Sequence, residues 1–171
     1  MAATNTLIVY ASRRGDEEKC AREIFDLIDG KVDICDLNNR ASFPDASTYD
    51  AVIIGSSVYH GKIPEPVSNF CRTNLEVLVQ KRLGLFITCP DSGEKAEKEL
   101  QEAYPPDLFN SAIARDYFGG EIDPYRLSIL EKIKCISAVI PKEFSGKIVI
   151  NKFANAYTNH RYSLYLHSEH M

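Results

Sequence analysis

A chain of 171 residues, 44% of them hydrophobic, is long enough to close one sizeable core and short for two domains. A formal charge of −4 with 26% charged residues describes an ordinary globular surface and excludes the basic excess of a nucleic-acid binder. Five cysteines (Cys20, Cys35, Cys71, Cys89 and Cys135) without Cys-x-x-Cys or Cys/His spacing argue against a disulfide framework and a zinc site. With no signal-like apolar run after Met1, they point to reduced thiols in the cytoplasm.

The run from Thr6 to Ala11 is short, β-branched and almost continuously apolar, as expected of a parallel strand covered on both faces. A turn over Ser12 to Asp16 follows. Ala21, Ile24, Phe25 and Ile28 then recur at helical spacing, with Gly30 as the stop signal. Lys31 to Cys35 reads as strand two, and the polar stretch from Asn38 to Asp50 leaves room for one turn of helix at most. Ala51 to Ser56 is the clearest buried strand, and Pro64 and Pro66 sit where a helix through Val67, Phe70, Cys71 and Leu75 begins. Leu83 to Thr88 gives strand four, followed by an acidic helix from Gly93 to Ala103 that Pro105 and Pro106 end. Ser111 to Phe118 reads as strand five, with Gly119 and Gly120 at its exit.

A region periodic at 3.6 from Pro124 to Ile140 and a short closing helix around Asn151 to Tyr157 complete the pass. The apolar part of that region, Leu127 to Ile140, is interrupted by Glu131, Lys132 and Lys134 and falls short of the roughly twenty apolar residues of a membrane span. Its stripe of Leu130, Ile133, Ile136 and Ile140 suits packing on the sheet. With no repeat and no linker, residues 1–171 read as one domain, with 124–150 inserted before the last helix and 158–171 as a polar tail. Strand and helix alternate throughout. That pattern predicts an α/β fold: a doubly wound, five-stranded parallel sheet with helices on both faces. Ligands of such sheets bind beyond the carboxyl ends of the strands, where the winding reverses, here between strands one and three.

Two segments carry a resemblance: Leu-Ile-Val-Tyr-Ala-Ser-Arg-Arg-Gly from Leu7, and Asp-Ala-Val-Ile-Ile-Gly-Ser-Ser-Val-Tyr-His-Gly-Lys from Asp50. The chain resembles the flavodoxin family over nearly its whole length. Within that family it is most similar to flavodoxin-domain proteins of the menaquinone-dependent protoporphyrinogen oxidase type, on the Gly55 to Gly61 segment and on Tyr117 to Glu121. The resemblance implies a flavodoxin-like fold and FMN as cofactor.

It also places the site. The loop of Ser12, Arg13, Arg14, Gly15, Asp16 and Glu17 occupies the phosphate-binding position, where amides and hydroxyls at a helix N-terminus hold an anion. Ser12 and Gly15 match the family pattern, whereas Arg14, Asp16 and Glu17 replace the usual threonine, asparagine and threonine. Carboxylates there oppose a phosphate dianion, and Arg13 and Arg14 offset them. Without a ligand, Asp16 as N-cap with Glu17 and Glu18 in the first turn would satisfy the same helix end. Ser56, Ser57, Val58, Tyr59, His60 and Gly61 correspond to the loop bordering the flavin ring, with Tyr59 as the stacking aromatic. Cys89, Pro90, Asp91 and Ser92 correspond to the other ring-edge loop, which lacks the aromatic many flavodoxins carry there. Cys89 reads as a small core residue and His60 as a proton-donor candidate at most. No side chain is expected to act as a catalytic acid or base, and no metal is expected.

Three functions remain open at this stage. The first is an FMN-dependent electron carrier between a reductase and an acceptor. The second is a protoporphyrinogen-oxidase-like enzyme with a quinone acceptor. The third is a cofactor-free, flavodoxin-like binding scaffold.

Overall fold

The computed structural model describes residues 5–12, 15–28, 30–39, 43–59, 61–91 and 93–119, together with Ala154 and Tyr157. Five strands, β1 (Asn5–Ala11), β2 (Lys31–Asp36), β3 (Ala51–Ser57), β4 (Arg82–Cys89) and β5 (Ala114–Gly119), form one sheet in the order 2-1-3-4-5. Every pairing is parallel. The order reverses between β1 and β3, where Ala11 stands beside Ser56. The carboxyl ends of these two strands therefore open side by side, which is the geometry the strand-helix alternation predicts.

Five helices accompany the sheet among the described residues: α1 (Asp16–Leu27), α2 (Glu65–Thr73), α3 (Leu75–Leu78), α4 (Gly93–Ala103) and α5 (Pro106–Ser111). Strand side chains alternate between two cores. On one face Leu7, Val9, Ile54 and Leu85 meet Phe70 of α2, Leu78 of α3, Leu100 of α4 and Leu108 of α5. On the other, Ile8, Ile53 and Phe86 meet Ala21 and Ile24 of α1, and Tyr157 closes the same cluster. Tyr157 and Ala154 are helical and buried, at the closing helix expected around 151–157. The remainder of that helix, the 124–150 region and the 158–171 tail lie outside the described residues. No helix among the described residues is long and apolar enough to cross a membrane.

Five local expectations need correction. The helix expected through Leu75 breaks at Asn74, whose side-chain amide donates to the Phe70 carbonyl at 2.9 Å. The Asn74 backbone amide donates to the same carbonyl at 3.1 Å, but Asn74 itself leaves helical geometry at φ −108°, ψ 14°, so α3 starts afresh. Ser111 is the last residue of α5, and the strand expected from it begins at Ala114. Pro105 and Pro106 do end α4, but Pro106 also opens α5, because a proline at the first helical position lacks only an amide that has no partner there. The stretch expected to hold at most one turn contains two short 3-10 turns, Leu37–Asn39 and Ala46–Thr48, the second capped by the Asp45 carboxylate on the Ser47 amide. Phe25, expected on the apolar stripe of α1, is 41% exposed, one position past the buried Ile24.

Packing is closest between β3 and β4. A Cβ placed on Gly55 would fall within the Phe86 side chain, so the ring lies directly over the glycine. Phe86 then stacks at a tilt on Phe118, with centroids 5.1 Å apart. On the opposite face the buried Tyr104 hydroxyl reaches the carbonyls of Phe86 at 2.7 Å and Ile54 at 3.2 Å. It ties the end of α4 to the middle of the sheet.

Burial also fixes the alkaline behaviour. It pushes the Cys71 thiol from 9.0 up to about 12. Burial, reinforced by the nearby Glu99 carboxylate, does the same to Cys89. An unfolded chain releases these protons near the ordinary thiol value, whereas the folded chain retains them to about 12, so stability is full below that range and falls as pH rises through it. We expect urea midpoints that decline steadily above about pH 9. A Cys71→Ala variant should start lower, because it leaves a void, but decline less steeply. Equal slopes for the two proteins would remove Cys71 as a cause.

Candidate functional site

Three loops meet at the carboxyl ends of β1, β3 and β4. The first leaves β1 at Ser12, whose Oγ accepts the Gly15 amide at 2.7 Å, while the Asn38 side chain donates to the Ser12 carbonyl at 3.0 Å. Gly15 sits at φ 90°, ψ 0°, in the left-handed region that glycine enters without penalty, and it is the residue that caps α1. Asp16 is therefore the first residue of the helix and not its N-cap. The first-turn amides of Glu17 and Glu18 have no acceptor within the helix, and the helix end carries roughly half a positive charge.

The acids of that turn go different ways. Glu18 turns outward and pairs with Arg22 at 3.0 Å. Glu17 turns inward: it is 2% exposed, and its carboxylate accepts a hydrogen bond from the Thr88 hydroxyl at the end of β4. Arg13 and Arg14 lie outside the described residues.

The second loop leaves β3. Ser56 and Ser57 are both buried; the Ser56 hydroxyl donates to the Ser57 carbonyl at 3.0 Å, while Ser57 Oγ has no hydrogen-bond partner. Val58 is buried and its amide donates to the Thr88 carbonyl at 3.2 Å, which fastens this loop to β4. Tyr59 and Lys62 exchange backbone hydrogen bonds of 2.9 and 3.0 Å across a tight turn, with open space beside Gly61. The turn holds the Tyr59 side chain out of the core, 41% exposed. His60 lies outside the described residues.

The third loop leaves β4. Cys89 is buried and its thiol points to the Asp91 carbonyl at 3.5 Å. Pro90 is exposed, and the Asp91 carboxylate pairs with Lys95 at 3.1 Å. The Gly93 amide donates to the Tyr117 hydroxyl at 3.1 Å. Glu99 on α4 lies beneath this loop, and burial, then the Asp91 charge, raises its carboxyl above the usual range. Ser92 lies outside the described residues.

The described candidates Ser12, Gly15, Asp16, Glu17, Ser56, Ser57, Val58, Tyr59, Gly61, Cys89, Pro90 and Asp91 thus fall on three loops at one edge of the sheet. Thr88 joins them: it bonds Glu17, receives the Val58 amide and stands beside Ser57 in the strand register. Strand four is expected to end on Thr88 with no role for it, and its placement near the carboxyl end of the strand that neighbours β3 was the available signal. Asn38 and Tyr117 were also missed, since their contacts span long sequence separations, whereas Glu99, close in sequence to Asp91, read only as part of an acidic helix.

Known structures share this architecture. Oxidised flavodoxin 1 from Bacillus cereus superposes with a TM-score of 0.57 at 15% identity, over 92% of this chain and 99% of that one. The two-electron reduced flavodoxin of Megasphaera elsdenii gives 0.56 at 17% identity, over 90% and 98%. The flavodiiron core from Synechocystis gives 0.53 at 18% identity, over 92% of this chain and 37% of that larger one. At such identities the likeness is one of fold. Comparison with curated proteins finds no similar sequence. The family model described as flavodoxin domain matches residues 7–140, which is most of the chain. This protein belongs to the flavodoxin domain family.

Proposed function

We propose that the protein is an FMN-binding electron carrier of the cytoplasm, loaded by a reductase and discharged by an acceptor protein or a quinone. The observation that carries this reading is the pairing, at the switch point, of an exposed aromatic on a rigid turn with a buried hydroxyl that lacks a partner, Tyr59 and Ser57. A buried hydroxyl without a partner is costly in a folded chain, and a polar ligand group arriving there removes the cost. The residues fit a flavin: Tyr59 offers a flat face, Gly61 leaves room for close approach, and the start of α1 together with Ser12 offers donors to a terminal anion. Bound there, the flavin would supply the one- and two-electron chemistry, and the protein would bind it, orient it and tune its potential.

Arg13, Arg14, His60 and Ser92 belong to the same proposed site by their positions in these loops. The third loop contributes backbone and the Asp91–Lys95 pair but no aromatic among its described residues, which leaves one side of the site for an electron partner.

Untagged protein should be purified and its visible spectrum recorded before and after addition of FMN. We expect flavin absorption, or quenching of FMN fluorescence with saturable binding, followed by reduction on addition of a pyridine-nucleotide-dependent reductase. Colourless protein that ignores FMN would leave the binding-scaffold reading in its place. The resemblance to protoporphyrinogen oxidase-type proteins makes porphyrinogen the first substrate to offer. Its conversion to porphyrin with a quinone would make the protein an enzyme; the electron-carrier reading expects none.

A further inference from the structure

The buried acid of α1 shares a polar cluster with two hydroxyls. Thr88 and Ser57 are register partners at the ends of β4 and β3. Two positions earlier on these strands stand Phe86 and Gly55, so alternation places all four on the face that α1 covers. Glu17 descends into this space from the first turn of α1, takes the Thr88 hydroxyl as donor, and is 2% exposed; Ser57 is 6% exposed, with its hydroxyl unpartnered. The first turn of α1, whose end charge would draw a terminal phosphate, is the turn that carries Glu17, and the unpartnered Ser57 hydroxyl lies on the same face of the sheet.

We propose that Glu17 is a specificity-determining residue of the flavin site: its carboxylate takes up the helix-end charge that a 5′-phosphate would otherwise use, so the protein discriminates little between FMN and riboflavin. This rests on the flavin-binding reading above. The charge of Glu17 satisfies the partial positive charge of the α1 N-terminus, and an added dianion meets a like charge where water screens it poorly. Arg13 and Arg14 bring two positive charges to the loop by sequence, which offsets part of that repulsion and keeps FMN admissible. Binding then comes mainly from the ring-side loops, which both flavins engage alike.

The test titrates the full-length, flavin-free protein with riboflavin and with FMN at fixed ionic strength, following fluorescence quenching, and repeats this for Glu17→Gln and Glu17→Thr. The two flavins should bind the unmodified protein within about tenfold of each other, and Glu17→Gln should tighten FMN on the order of tenfold while leaving riboflavin nearly unchanged. The glutamine retains an oxygen for Thr88, and thermal melting of each flavin-free variant reports folding. If Glu17→Thr fails to fold, the glutamine variant and the unmodified protein still decide the matter. A hundredfold preference of the unmodified protein for FMN would overturn the inference alone, as would equal shifts of both flavins in Glu17→Gln. Unmodified protein that binds neither flavin, beside a glutamine variant that binds FMN, would support it while revising the functional reading. No binding by any of the three proteins would overturn both.

Discussion

Replacing Gly55 by alanine should lower the stability of the folded chain by about 3 kcal/mol, a loss of roughly 6 to 12 °C in Tm for a chain of this size. The added methyl falls within the space of the Phe86 ring, which is fully buried. The ring cannot swing aside cheaply. Phe118 lies against it, and α1 covers that face of the sheet. The strands would have to separate or the ring leave its rotamer, and either way the contact with Phe118 is lost. Urea or thermal unfolding measures the difference, and an unchanged midpoint would show that Phe86 is not seated over β3 at all.

Truncating Tyr59 to alanine should have the opposite profile. Stability should hold within about 0.5 kcal/mol, because the side chain is 41% exposed and its turn is closed by backbone bonds with Lys62. Affinity for FMN should fall on the order of 10- to 100-fold, the usual effect of removing an aromatic stacking platform. The flavin's midpoint potential should shift with it, since the ring face would lose an electron-rich neighbour. Tyr59→Phe, which keeps the platform, should bind nearly as the unmodified protein does. Fluorescence titration of the three proteins checks this, and an unaltered affinity for Tyr59→Ala would remove the residue from the site.

The contrast between these two positions shows what the sequence could convey. β1, β3 and β4 were legible as strands because burial on both faces writes a continuous apolar run, and the reversal between β1 and β3 followed from the alternation with helices. The serines that end β3 and Gly61 beyond them marked a loop, and a tight turn closes there between Tyr59 and Lys62. Glu17 was legible only as an acid in the first turn of a helix. Its inward turn depends on Thr88, which lies 71 residues away and meets it only where β1, β3 and β4 stand side by side. The short α5 was hidden because the proline that starts a helix and the proline that ends one look alike in sequence. Gly55 likewise gave no sign that an aromatic ring from the neighbouring strand would need its missing side chain.

Two phenols hold α4 at its two tips. The Tyr104 hydroxyl is pinned between the β3 and β4 backbones just beyond the trailing end of the helix, and the Gly93 amide at the leading end donates to the Tyr117 hydroxyl of β5. Roughly 15 Å of helix is thus fastened to the sheet at both ends, so the rim where Asp91 and Lys95 stand is tied to the same strands that carry Ser57 and Thr88.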